Sequence, residues 1–334
     1  MVRIEKDLKV SKIIKGTFES RMSKLLNVKP SLLKDILRPS SIAACRLNLL
    51  KGIDRLEVIK HAKKHGITLT PISFYKDGFL TDTPKYELIN LDLVKDGILF
   101  IQNASSYLPV LALDPKPNEE ILDACAAPGG KSSFIASLTL NKAKLWLNDG
   151  IKSRLEGIFQ LKELLNFEYE VLTNFPVQRI DKEINKTFDK ILLDVQCSGE
   201  GMMDIEKPST MKYWSLERTQ KYMYLQQKAL NATFKLLKPG GVLVYSTCTY
   251  APEENEMPIS NFLKHNLDAT IEPLTLNLKN VRQGEKSFGN FTFDPRLQGA
   301  LRVLPSDGME GFFVCRIRKK VSNETYEGVK LGED

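Results

Sequence analysis

From about residue 120 onward, short β-rich runs alternate with amphipathic helical stretches, and no other feature constrains the fold of this chain as strongly. The β-rich runs fall at 121–124, 145–148, 170–173, 190–194, 242–246 and 312–317. Between the early ones, residues 153–165 place Leu155, Ile158, Phe159, Leu161 and Leu165 at helical spacing. Residues 217–237 do the same with Leu225, Leu230, Phe234 and Leu237. Alternating strand and helix predicts an α/β fold with a parallel sheet and right-handed crossovers. Lys238-Pro-Gly-Gly241 reads as the end of one helix and a sharp turn into the next strand. In such a sheet ligands bind at the carboxyl ends of the strands. Four of those ends carry unusual residues: Asp123, Asp149, Asp194 and Cys248.

The first 110 residues lack this rhythm and read as mostly helical. Met22, Leu25, Leu26, Leu32, Leu33 and Ile36 are spaced helically over 20–36, and Leu56, Ile59 and Ala62 share one face over 55–64. The pattern turns extended between 66 and 110. Asp114-Pro-Lys-Pro-Asn118 reads as a boundary loop. The expected division is a basic N-terminal domain over 1–114, a catalytic domain over 115–320 and a tail over 321–334. Charge supports two regimes. Residues 1–64 carry 16 Lys/Arg and 6 Asp/Glu, a net of +10, and the remainder carries 32 and 35, a net of −3. The excess points to an acidic polymer as partner, nucleic acid first; a solvated basic face with no partner is the plainer reading.

The five cysteines (Cys45, Cys125, Cys197, Cys248 and Cys315) include no CxxC pair, so no metal site is expected, and their odd number and wide spacing speak against a disulfide framework. The histidines His61, His65 and His265 lie outside every motif and read as surface residues. No signal peptide is visible at the N-terminus. No apolar run reaches the roughly 18 residues of a membrane span. A cytoplasmic protein with no membrane partner is expected.

The first strand of the alternating region runs into Asp123-Ala-Cys-Ala-Ala-Pro-Gly-Gly-Lys131-Ser-Ser. Small residues and two glycines there let a ligand approach the backbone closely. A phosphate-binding P-loop would need glycine where Cys125 stands, and no GxGxxG fingerprint is present. The next strand ends at Asp149, where a carboxylate suits two ribose hydroxyls. A Gly-rich first turn followed by a ribose-binding acid indicates an adenosine-type cofactor. Arg154, one helical turn later, either orients Asp149 or is a surface cation.

Two further strands end in cysteines. One reads Leu-Leu-Asp194-Val-Gln-Cys197-Ser-Gly-Glu-Gly201, the other Tyr-Ser-Thr-Cys248-Thr-Tyr-Ala-Pro-Glu-Glu-Asn255. If those strands are neighbours, both thiols lie at one sheet edge. Pro252 followed by Glu253 and Glu254 reads as a helix start, which would favour a thiolate at Cys248. An activated thiol beside an adenosine cofactor suits one reaction well. Carbon 5 of a pyrimidine is a poor nucleophile until a thiolate adds to carbon 6, after which it accepts a methyl group from S-adenosylmethionine.

These motifs, with the closing Gly311-Phe-Phe-Val-Cys-Arg-Ile-Arg, resemble the RsmB/Sun family of RNA (cytosine-5) methyltransferases over roughly residues 38 to 319. Leu69-Thr-Pro-Ile-Ser, Asp77-Gly-Phe, residues 100–109, Cys197–Gly201 and Tyr213-Trp214-Ser215 make the RsmF-type 16S ribosomal RNA enzymes the nearest in kind. The resemblance implies a Rossmann-like S-adenosylmethionine-dependent methyltransferase with a smaller N-terminal RNA-binding domain. It implies that Cys125, Ala126, Ala127, Pro128, Gly129, Gly130 and Lys131 hold the cofactor's methionine end, that Lys131 touches either that carboxylate or the base, and that Asp149 binds the ribose. Asp194 would sit between cofactor and base, Cys248 would be the nucleophile, and Cys197 would help release the methylated RNA. The implied partner is small-subunit ribosomal RNA, reached unstacked or single-stranded, by a monomer that does not act on DNA. Transfer RNA as substrate, and a catalytically weak RNA-binding assembly factor, are the alternatives.

Three departures stand out. Val195-Gln196 precedes Cys197 where the family usually has Ala-Pro, and Thr173-Asn-Phe-Pro176 lacks the acid expected near the adenine, with Asn174 as a substitute. RsmF-type enzymes usually continue into a C-terminal RNA-binding region, whereas this sequence stops 14 residues after Lys320, which would leave RNA capture to the basic N-terminal segment.

Overall fold

The computed structural model describes residues 16–38, 40–321 and 326–332. It opens with helix α1 (Phe18–Leu26), capped by the Thr17 hydroxyl, which accepts the Ser20 N–H, and ended by Asn27 in the left-handed conformation. The single helical stretch expected over 20–36 is therefore two pieces, the second being the turn Leu33–Ile36. Pro30 begins a 3-10 turn between them, because a proline supplies no N–H for a continuing helix.

Strands β1 (Ala43–Leu47), β2 (Thr70–Ile72), β3 (Tyr75–Thr81) and β4 (Leu99–Ile101) form an antiparallel sheet in the order β2-β3-β1-β4. Helix α2 (Arg55–Lys64), capped by Asp54, follows β1. The mostly helical character expected here is thus corrected to a four-stranded sheet with helices. All five residues of β1 are buried, so it shows no alternation of apolar and polar residues. A run buried on both faces cannot be assigned by periodicity.

The larger unit follows helix α3 (Leu108–Leu113) and contains β5 (Glu120–Asp123), α4 (Gly130–Leu138), β6 (Lys144–Asn148), α5 (Leu155–Leu165), β7 (Val171–Thr173), β8 (Phe188–Asp194), α6 (Leu216–Lys235), β9 (Leu237–Thr247), α7 (Glu256–His265), β10 (Ala269–Ile271), β11 (Val281–Gln283), β12 (Leu301–Val303) and β13 (Phe312–Lys319). Every strand expected from the sequence is present within a few residues, the largest difference being β9, which starts five residues early. Leu236 rather than Lys238 closes the preceding helix, and residues 238–241 are already strand. The sheet order is β11-β12-β13-β9-β8-β5-β6-β7, with β10 beside β13. Strands β5 to β9 are mutually parallel, and β13 runs antiparallel to β9. The strand order reverses between β5 and β8, which is where such sheets bind ligands.

The packing does not follow the boundary expected near Pro115. Phe18, Met22, Leu25, Leu26, Leu33 and Leu37 share a core with Leu122, Leu193 and Leu243 of the parallel sheet. Residues of α3 are wholly buried in the core on the other face of that sheet. The four-stranded sheet and its helices add a core of their own around Cys45, Val58, Phe79 and Leu99, while Ala44, Ile72 and Tyr75 of the same sheet pack into the core of α3. The segment beyond 321 is not a detached tail: Val329–Lys330 pairs with Leu274–Thr275, and Leu331 is buried. The first fifteen residues of the basic segment lie outside the described residues. Of its other cations, Arg21 and Arg46 are buried and engaged internally, Arg46 with Gln102, the Gly130 carbonyl and Ser133. Lys60, Lys63 and Lys64 are exposed on α2. Among the described residues no helix is long and apolar enough to cross a membrane.

Candidate active site

At the end of β5 the chain passes through residues 124–129 before α4 begins. The loop is stitched to its neighbour: the Ala126 N–H donates to the Asn148 carbonyl at 2.8 Å, and the Ala127 N–H to Asp149 Oδ2 at 3.1 Å. Ala127–Pro128 is a cis peptide bond, and Gly129 has φ +110°, a conformation that a side chain would strain. Asp149, 2 % exposed, also accepts the Ile151 N–H at 3.0 Å through Oδ1. Arg154 Nη1 stands 3.3 Å from Asp149 Oδ2, and its Nη2 donates to the Ala127 carbonyl. Arg154 therefore orients Asp149, the first of the two roles weighed for it.

A cleft opens beside these groups, lined by Cys125, Asp149, Ile151, Val177, Leu225 and Gln226 among others. Asn174 spends its amide on the Asp149 carbonyl; the lining continues instead through Pro176, Val177 and Gln178. Burial and the nearby carboxylates push the Cys125 thiol well above its usual range, so it lines the cleft as a neutral group. An acceptor-only carboxylate at the rim suits ribose hydroxyls, and the apolar wall of Ile151, Val177 and Leu225 suits a flat ring. The donor set therefore fits S-adenosylmethionine. The α6 contribution went unnoticed in the sequence. Tyr222, Leu225, Gln226 and Ala229 share one face at helical spacing, a signal that periodicity does contain.

The second half of the site lies at the ends of β8 and β9. These strands are parallel neighbours with Asp194 opposite Ser246, and they bring Cys197 Sγ and Cys248 Sγ to 3.2 Å. Hydrogen bonding to Cys248, with burial, raises the Cys197 thiol well above its ordinary value. Asp194 accepts from the Ser246 hydroxyl at 2.7 Å and pairs with Lys131 Nζ at 2.7 Å. Burial works against the Lys131 charge, but Asp194, with Cys248 and Asp123, outweighs it and leaves the ammonium raised. The site thus joins Lys131, from the first turn of α4, to the two cysteines. Asp123 is buried beneath them, accepts from the Ser132 hydroxyl at 2.7 Å and is pushed up to about 7, chiefly by burial.

Glycines set the shape of the Cys197 loop. The Gly201 N–H donates to the Cys248 carbonyl at 2.9 Å, and the Gly311 N–H to the Gly201 carbonyl at 3.0 Å. A Cβ on Gly201 would meet the Gly311 carbonyl at 2.0 Å, so the close approach admits no side chain. Glu200 is buried behind this turn, accepting from Trp214 Nε1 at 2.7 Å and from the Thr249 hydroxyl at 3.0 Å.

The helix start expected at Pro252 lies further on: α7 begins at Glu256. Residues 252–255 form turns because their side chains are otherwise engaged. Asn255 donates to the Thr249 carbonyl and accepts from the Thr247 hydroxyl, side-chain bonds of the kind that compete with helix. Glu253 receives both its bonds from Arg21 at 2.7 Å, and Glu256 is held by Arg302 at 2.5 and 2.6 Å. The positive charge at the cysteine pair therefore comes from Lys131, and not from a helix end directly after Cys248. Among the described residues no group of three His, Cys, Asp or Glu side chains is placed to hold a metal ion. Cys45 and Cys315 are buried away from the site, and burial pushes the Cys45 thiol up to about 12.

Fold and cleft together define a Rossmann-like S-adenosylmethionine-dependent methyltransferase. The family model described as "16S rRNA methyltransferase RsmB/F" matches residues 110–318, and the chain belongs to that family. The ribosomal RNA small subunit methyltransferase F of Vibrio vulnificus (strain YJ016) is 33% identical over 338 residues, covering 94% of this chain and 67% of that one. The protein of the same name from Escherichia coli O139:H28 is 33% identical over 280 residues, 82% of this chain and 56% of that one; the chain thus spans about half to two thirds of the length of these relatives. A solved methyltransferase homologue from Pyrococcus horikoshii superposes with a TM-score of 0.77 at 29% identity, covering 90% of this chain and 93% of that one. NSun6 from the same organism shares the fold, with a TM-score of 0.76 at 20% identity over 93% of this chain and all of that one.

Proposed function

We propose that this protein methylates carbon 5 of a cytosine in RNA, with bacterial 16S ribosomal RNA as the substrate, through a covalent bond between Cys248 and carbon 6. The observation that carries the reading is the pair of thiols 3.2 Å apart at the ends of adjacent parallel strands, beside the Lys131–Asp194 pair. S-adenosylmethionine, when bound, supplies an electrophilic methyl group. The Cys248 thiolate adds to carbon 6, and the electron pair displaced from the ring double bond makes carbon 5 the nucleophile. Once carbon 5 carries the methyl, loss of its proton restores the double bond and expels the Cys248 thiolate. Cys197 acts in this release. Lys131 and Asp194 flank the reacting ring, and Asp149 holds the ribose of the cofactor. Residues 125–131 line the methionine end. Exposed Lys60, Lys63 and Lys64 of α2 contribute to holding the RNA backbone in the cytoplasm. The names of the curated relatives favour ribosomal over transfer RNA.

Cys248→Ala removes the nucleophile, and methyl transfer to unmodified 16S RNA falls by about 10⁴-fold or more; substantial residual transfer overturns the assignment. Cys197→Ala retains RNA as a denaturant-resistant adduct. A Cys197→Ala protein that turns over normally without retained RNA overturns the release role. Bisulfite sequencing of total RNA with and without the gene identifies the modified cytosine and decides between ribosomal and transfer RNA.

A further inference from the structure

Among the described residues, two buried oxygens near the Cys197 loop have no hydrogen-bond partner, Glu254 Oε1 and Gln226 Oε1. They belong to side chains that already touch. Gln226 Nε2 donates to Glu254 Oε2 at 2.9 Å and to the Gln196 carbonyl at 3.0 Å. Glu254 Oε2 also accepts the Ser198 N–H at 3.0 Å. The peptide group on each side of Cys197 is thus gripped by one member of the pair. Gln196 stands where the resembling enzymes usually have proline, whose ring fixes the backbone; here Gln226 takes hold of the carbonyl at that position.

A carboxylate offers only acceptors, and so does an amide oxygen. Two buried acceptors left over from one acid–amide pair are costly, and a single proton satisfies both. A neutral carboxyl donates Oε1–H to the amide oxygen while Oε2 goes on accepting from the amide nitrogen. We propose that Glu254 and Gln226 form a neutral acid–amide clamp that positions Cys197, with the Glu254 carboxyl protonated and donating to Gln226 Oε1.

The surroundings agree. Among the described residues no cation is paired with Glu254, whereas its neighbours Glu253 and Glu256 take Arg21 and Arg302. The ionisable groups around it are Glu200 from the loop after β8, Cys197 itself, and Tyr245 of β9, whose hydroxyl donates to the Glu254 backbone carbonyl. Burial, then Glu200, pushes the Glu254 carboxyl up to about 8. Glu254 and Gln226 are positioning residues, since they act through Cys197. The role rests on Cys197 acting in release.

The test uses the full chain, S-adenosylmethionine and in vitro transcribed 16S RNA, with covalent adduct and released RNA measured from pH 6 to pH 9. Glu254→Gln reproduces the neutral acid, donating through its amide nitrogen and accepting through its oxygen, and releases RNA within about threefold of the wild type. Glu254→Ala and Gln226→Met lose the clamp and accumulate adduct about tenfold. If Glu254→Gln is as impaired as Glu254→Ala, the group works as a carboxylate and the proposal is overturned; normal release by Glu254→Ala overturns it as well. Cys197→Ala run in parallel separates this from the release role, because that role fails if Cys197→Ala itself leaves no adduct. In that event, or if Glu254→Ala does not fold, thermal unfolding against pH decides. The clamp predicts a steeper loss of stability from pH 6 to pH 9 in the wild type than in Glu254→Gln, and equal slopes overturn it.

Discussion

At the end of β6, Asp149 is surrounded by charge-stabilising groups: two backbone N–H donors and the Arg154 guanidinium. In the turn after β9, Glu254 is more deeply enclosed but receives only a backbone N–H and a neutral amide. One is an acceptor at the rim of a cleft, met by a cation and two backbone donors. The other is pushed up to about 8 in the interior. Asp123, under the Lys131–Asp194 pair, behaves like the second, rising to about 7. The contrast teaches that burial alone does not set the role of a carboxylate here; the supply of donors does. Asp149 meets a cation and backbone donors beside the cleft, whereas Glu254, with fewer donors and Glu200 nearby, is raised by burial.

The sharpest way to break this comparison is through the carboxylates of the 252–256 turn that do have cations. Glu253→Ala removes the carboxylate that holds the buried Arg21, and breaking a buried pair costs about 3–5 kcal/mol; urea unfolding measures it. A loss no larger than that of Glu254→Gln would erase the distinction between paired and neutral carboxylates. Next in size, Asp149→Asn keeps the shape but weakens the acceptor. Hydrogen bonds to charged groups contribute about 1.5–3 kcal/mol, so titration calorimetry with S-adenosylmethionine should show affinity reduced by about 10- to 100-fold. Unchanged affinity would remove Asp149 from the cofactor site.

Taken per group and per pH unit, the smallest effect is the pH dependence of folding. Glu254 and Asp123 have folded-state values raised above 4.5 and 3.8 to about 8 and about 7. In that window the unfolded chain has lost protons that the folded chain keeps. Their contribution is therefore full below pH 4 and disappears as pH rises through 7 and 8, with a slope of at most about 1.4 kcal/mol per pH unit for each group. Glu254→Gln and Asp123→Asn each shorten the decline, and the double variant flattens it. A wild-type stability that rises from pH 6 to pH 9 contradicts both assignments.

The parallel sheet was legible because its β-rich runs alternate with helical stretches, two of which carry a regular apolar stripe, as at Leu155, Ile158 and Leu165. The positions of Asp149, Cys197 and Cys248 at strand ends were legible because each stands beside turn residues where a purely structural sequence would place apolar ones. What escaped was non-local. Arg21 reads as a cation on a basic helix, and only the fold shows its guanidinium buried against Glu253, 232 residues away. Gln226 sits on a helix face with no motif to mark it. The four-stranded sheet escaped for a different reason, since β1 is too thoroughly buried to show a period.

The two arginines that lock the turn after Cys248 come from opposite ends of the chain, Arg21 from the first described helix and Arg302 from β12. During synthesis, the turn cannot be fully paired until Arg302 has left the ribosome. The strands that carry the two thiols are made earlier, but Arg302 reaches the turn after Cys248 only when some nine tenths of this sequence has been translated, and Gly311 and β13, which brace the Cys197 loop and β9, follow it. Assembly of the site therefore reports on completion of the fold, and a nascent chain halted before residue 302 would carry the cysteines without the frame that holds them.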